Sequence, residues 1–111
     1  MKKIITVCLL IFISINIMKM PTALGVETTK GGELFQIHCA GCHANGGNIV
    51  RRWKNLKIRT LKKNKLDSVE AIASLVKNGK NNMSSYQDRL TPAEIETVSA
   101  YVLQQAENGW H

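Results

Sequence analysis

"FQIHCAGCHANGG", residues 35–47, sets two cysteines two residues apart with a histidine immediately behind the second. Paired thiols at that spacing serve a redox disulfide, a zinc site or the covalent attachment of a haem. A thioredoxin-like disulfide has no need of the histidine and sits at a helix start inside a strand-helix-strand unit. Beyond residue 25, however, no segment shows the period-two alternation of a half-buried strand. Zinc requires four ligands in tetrahedral reach, and past that point only His38 and His111 are on offer outside the motif. C-x-x-C-H fits the third use. Two thiols add to porphyrin vinyl groups as thioethers, and the adjacent imidazole is thereby carried to the iron. Cys39 and Cys42 are therefore read as the haem thioethers, His43 as the proximal iron ligand, and one covalently bound haem c as the cofactor.

Upstream, Lys2 and Lys3 precede an uncharged apolar run from Ile4 to Met18, followed by the small-residue stretch "PTALG". Its fifteen residues fall short of the roughly 20 needed to cross a bilayer, so the run reads as a secretory signal and not as a retained anchor. Cleavage is expected after Gly25, giving a signal peptide over residues 1–25 and one domain over residues 26–111, with no stable membrane insertion. Cys8, Met1, Met18 and Met20 leave with the signal, and Met83 remains as the single thioether of the exported chain. A domain this small has a marginal apolar core and commonly leans on a cofactor, metal or disulfide. A haem would supply that core.

Helix signals recur along the exported chain. In "TPAEIETVSAYVLQQAENG", Thr91 is an N-cap, Pro92 takes the first helical position, Glu94 completes a capping box, and Asn108 and Gly109 close the helix. Ile95, Val98, Val102 and Ala106 form its apolar stripe, with Tyr101 beside it. "DSVEAIASLVKNG" makes a shorter helix, capped by Asp67 or Ser68 and stopped at Asn78 and Gly79. Another helix is expected from Thr29 to the cysteines, with Gly31 permitting a close crossing. A fourth falls in the basic run, with Trp53, Leu56 and Leu61 facing inward. The fold class is all-α, about four helices.

The second axial ligand must come from far along the chain. Met83 lies in the irregular "GKNNMSSY" between two expected helices, where a loop can lay it across the haem; a methionine filling a core gap is the ordinary alternative, disfavoured by the polar loop. Histidine-methionine ligation raises the reduction potential and leaves no open position on iron, which suits electron transfer and argues against an enzyme. The alternative function is a haem-based redox or diatomic-ligand sensor in which Met83 dissociates.

Charge is uneven within a formal total of +7. "RRWKNLKIRTLKKNK", residues 51–65, carries eight basic residues and no acid, whereas residues 66–111 carry three basic residues against six acidic ones. A solvated helix face and a docking patch for an acidic partner both explain such a run, and export excludes nucleic acid as its target. Among single residues, His38 reads as a surface or hydrogen-bonding group, His111 as frayed, Trp53 and Trp110 as packing groups and Tyr86 as cover for the haem edge. Asn81 and Asn82 either bond the methionine sulfur or shape its loop, and Gly46 and Gly47 permit the turn after His43.

With "GELF", "CAGCHANGGN", "DSVEAI", "NGKNNM" and "DRLTPAEIETVSAYVLQQAENGW" in place, the chain resembles the cytochrome c6 family, small photosynthetic c-type cytochromes of cyanobacteria and algal plastids. The resemblance implies a class I cytochrome c fold around one haem. Carried over by position, it assigns Cys39 and Cys42 to the haem, His43 and Met83 to the iron, and Gly31, Phe35 and Tyr101 to the crossing of the first and last helices. It also implies a monomeric electron shuttle from the cytochrome b6f complex to photosystem I or a terminal oxidase, in a thylakoid lumen or periplasm. Three departures mark a c6-like paralogue. Ser84 stands where proline commonly follows the ligand methionine, Leu75 replaces a glutamine near the haem, and the basic run replaces a segment of mixed charge.

Overall fold

The computed structural model describes residues 23–111, with side chains from Thr28 onward. The signal segment falls mostly outside the described residues. Helix α1 spans Ala23–His38, so it starts earlier than Thr29 and contains both Gly31 and Gly32. A single turn, α2 (Ala40–His43), follows at once; α3 is Ile58–Lys63, α4 Val69–Asn78 and α5 Pro92–Asn108. Among the described residues the only extended pairing is one antiparallel bridge, Lys80 with Met83.

Helix α5 begins as its sequence dictates. Glu94 N donates to Thr91 Oγ1 at 3.2 Å and Thr91 N donates to Glu94 Oε1 at 2.9 Å, so two otherwise orphaned N–H groups are satisfied reciprocally. Its C-terminus closes on Gly109 in the left-handed region at φ 80°, where a side chain is disfavoured. In α4 the cap is settled in favour of Ser68, whose Oγ accepts from Ala71 N at 3.1 Å.

Helices α1 and α5 cross closely, and Gly31 is the reason. A Cβ there would lie 2.7 Å from Tyr101 Cβ and 3.0 Å from the Thr97 carbonyl, closer than packed atoms tolerate. Next to this contact Phe35 is 1% exposed, its ring 5.5 Å from that of Tyr101 and 5.2 Å from that of Trp110. Ile72 and Val76 of α4 bring that helix onto the same core as Val98 and Val102 of α5. Ser99, also on α5, is fully buried, and among the described residues its hydroxyl has no hydrogen-bond partner.

The basic run folds otherwise than expected. Leu61 is buried and Leu56 half-buried against the core, but the helix covers only Ile58–Lys63. Trp53 lies before it in a tight 3-10 turn, Arg52–Lys54, and is 70% exposed. Neither its inward orientation nor its role as a packing group holds. Asn48 and Asn55 hold this stretch in turns by bonding its backbone, which rotates Trp53 off the helical face that pattern reasoning assigned to it.

Candidate haem site

The cysteine motif occupies the bend where α1 ends. Cys39 N still donates to Phe35 O at 2.8 Å, and Cys39 O then accepts from Cys42 N at 3.2 Å and from His43 N at 2.9 Å. One helical turn thus carries positions i, i+3 and i+4, which share a face. Both thiols are free, Cys39 half-buried and Cys42 exposed. Burial pushes the Cys39 thiol up to about 11, so it stays protonated at neutral pH and is a poor nucleophile toward disulfides.

Behind His43 the chain reverses through Asn45 at φ 54° and Gly46 at φ 76°. A Cβ on Gly46 would stand 2.5 Å from the Trp110 indole, so glycine is demanded twice, by backbone and by contact. Trp110 is held there by its Nε1, which donates to Leu56 O at 2.9 Å; it is a packing group, as its sequence position suggests. This reversal delivers the Gly47 carbonyl to His43 Nδ1 at 2.7 Å. A carbonyl only accepts, so Nδ1 carries the proton and Nε2 keeps its lone pair free for a metal.

Met83 belongs to a loop tied down on all sides. Lys80 and Met83 exchange backbone bonds at 3.0 Å each, with Asn81 at φ 53° forming the turn between them. Asn81 therefore shapes the loop. Asn82 does so differently, its Oδ1 accepting from Arg51 Nη2 at 3.5 Å. Ser85 Oγ donates to Lys77 O at 2.6 Å, and Tyr86 N donates to Val76 O at 2.9 Å. At Gly79, φ 71°, a Cβ would come within 2.7 Å of the Met83 carbonyl and of Ser85 N, so the loop folds back directly over the end of α4. Hydrogen bonds here take the place of the stiffening that a proline at residue 84 supplies elsewhere.

One bond joins the segment of the cysteine motif to the Met83 loop. Tyr86 Oη donates to the His38 carbonyl at 2.9 Å, across 48 residues, and the His38 ring meets the Tyr86 ring edge-on at 6.1 Å. Burial pushes the Tyr86 phenol above its ordinary value, so it stays protonated and a donor. Arg89 covers its other side, 4.9 Å from the ring centroid. Met83 and Cys39 both pack against the same core. The sequence missed this clamp, since neither a tyrosine nor a histidine carbonyl advertises a partner so distant. Leu75 is half-buried and Ser84 exposed.

Two unpaired thiols on one turn, an imidazole fixed with Nε2 free, and a thioether on an immobilised loop fit a haem c. The fold is that of the class I c-type cytochromes, and these four side chains are its candidate donors. Residues 26–102 match the family described as cytochrome C oxidase, cbb3-type, subunit III. The chain is 52% identical over 110 residues to a protein named cytochrome c6-like from Nostoc sp. (strain PCC 7120), covering 99% of each, and 41% identical over 110 residues to the cytochrome c6 of the same strain, again covering 99% of each. It superposes with a TM-score of 0.72 on the crystal structure of cytochrome c6C from Synechococcus sp. PCC 7002, at 60% identity, covering 73% of this chain and 99% of that one. The chain belongs to the cytochrome c6 family, on its c6-like side, and its cofactor is one covalently bound haem c. It is an electron-carrier cytochrome.

Proposed function

We propose that Cys39 and Cys42 would hold the haem as thioethers, that His43 and Met83 would ligate its iron, and that the protein accepts electrons from the cytochrome b6f complex and delivers them to photosystem I or a terminal oxidase. The observation that carries this reading is the His43 Nδ1 bond to Gly47 O, which leaves one ring nitrogen of one tautomer available. Haem c supplies a one-electron Fe(III)/Fe(II) couple when bound. The protein's part is to tether it through two sulfurs, to orient the imidazole and to hold Met83 in place so that little reorganises when the charge changes. No substrate bond is broken. Among the described residues no helix is long and apolar enough to cross a membrane, and we place the protein in a thylakoid lumen or periplasm.

Holding of the Met83 loop at Val76, Lys77, Lys80 and His38 favours the carrier over a ligand sensor. The test uses protein matured in a host equipped for haem attachment. Mass spectrometry should show one haem adduct, and the oxidised protein a sulfur-to-iron charge-transfer band in the far red. Met83→Ala should abolish that band and make the reduced form bind carbon monoxide. Carbon monoxide binding by the wild type overturns the carrier in favour of the sensor.

A further inference from the structure

Trp53 is an expensive residue to leave in water. It is 70% exposed, yet the turn that presents it is strapped on every side. Asn48 Oδ1 accepts from Val50 N at 3.0 Å and from Arg51 N at 2.8 Å, Asn48 Nδ2 donates to Lys54 O at 3.0 Å, and Asn55 Nδ2 donates to Arg52 O at 3.1 Å. A large indole on a preorganised turn loses little further entropy when something covers it. Tryptophan and arginine are also the side chains most enriched among the residues that dominate binding at protein interfaces.

Its surroundings state the chemistry of what covers it. Arg51, Arg52, Lys54 and Lys57 are all exposed, and no acidic residue occurs between residues 51 and 65. The turn is moored to the haem-binding segment, because Ile49 N donates to Cys42 O at 3.0 Å and Leu56 N to Gly46 O at 2.7 Å. Arg51 reaches Asn82, the neighbour of Met83, on the other side. Whatever sits on Trp53 therefore sits beside both segments assigned to the haem.

We propose that this face docks a redox-partner protein that presents carboxylates around an apolar recess, with Trp53 filling the recess and Arg51, Arg52, Lys54 and Lys57 meeting the rim. The proposal rests on the electron-carrier reading and deepens it. The charged rim governs encounter and salt dependence, while the indole governs how long the pair stays together.

The test takes the holoprotein to a gold electrode coated with a mixed monolayer of carboxylate- and methyl-terminated thiols, an acidic face with apolar gaps. Wild type is compared with Trp53→Ser and with Arg52→Glu/Lys54→Glu, all at exposed positions whose change leaves the far-red band intact. At about 10 mM ionic strength, where the Debye length is about 30 Å, the double variant should show an electron-exchange rate at least about tenfold lower. Trp53→Ser should be slower about threefold or more, and only on the mixed monolayer, not on a purely carboxylate one. At about 1 M salt, where the Debye length is about 3 Å, the double variant should approach wild type. Equal rates for wild type and either variant on the mixed monolayer at low salt overturn the docking face while leaving the carrier reading intact. Absence of a reversible wave in the wild type overturns the carrier reading itself. Cosedimentation with phosphatidylglycerol vesicles that Trp53→Ser abolishes reassigns the face to a membrane surface and overturns the protein partner.

Discussion

At the α1–α5 crossing, Phe35 is 1% exposed and touches Tyr101 and Trp110, whereas the Met83 loop is polar, only half-buried at Met83 itself, and held by bonds to Val76, Lys77, Lys80 and, through Tyr86, His38. Dispersion and apolar burial fix the first region; they act in bulk and tolerate no missing volume. Directional bonds fix the second. Each of those contributes little net stability but determines where one sulfur sits. The division suits a protein whose core must stay folded in both oxidation states while the Met83 loop stays put. It also separates two kinds of damage: loss of the fold and release of the Met83 loop.

Phe35→Ala attacks the first region and has the largest expected effect. It should lower the unfolding free energy of the holoprotein by about 3–5 kcal/mol, read from urea melts, with the far-red band persisting until the chain unfolds. A band lost well before the fold would erase the distinction between the regions.

Tyr86→Phe attacks the second. Removing the bond to the His38 carbonyl should cost only about 0.5–1.5 kcal/mol of global stability, yet the far-red band should vanish at a lower pH on alkaline titration than in wild type, as the loop is released. If the two proteins lose the band together, the bonds to Val76 and Lys77 hold Met83 unaided.

The smallest effect lies outside both regions, at the start of α5. The Thr91 backbone N–H and then its side chain hold the Glu94 carboxyl below the ordinary glutamate value. A depressed folded value means that the contribution is present above the unfolded value, about 4.3, and is lost as pH falls through the folded one. Thermal melts between neutral pH and about pH 3 should fall less steeply for Glu94→Gln than for wild type. Parallel slopes would show that the capping box is not what acid dissolves.

How much of this was legible beforehand follows the same division. Helix α5 could be read from Thr91, Pro92 and Glu94 because its start is local chemistry within four residues. The crossing was readable at Gly31, Phe35 and Tyr101 through resemblance, and the structure gives its steric reason. Trp53 was misread because an apolar letter in a basic run was assigned to a helix face, while Asn48 and Asn55 divert the backbone into turns. The Tyr86 clamp stayed hidden because its acceptor is a main-chain carbonyl, and any residue type supplies one. Side-chain identity encodes packing far better than it encodes bonds to the backbone.

Trp110 carries a consequence for assembly. Its indole wedges against Gly46 and borrows the Leu56 carbonyl, so the reversal that delivers Gly47 to His43 is buttressed by a residue that follows α5, far along the chain. A chain still emerging therefore offers its thiols and imidazole on an unbuttressed turn.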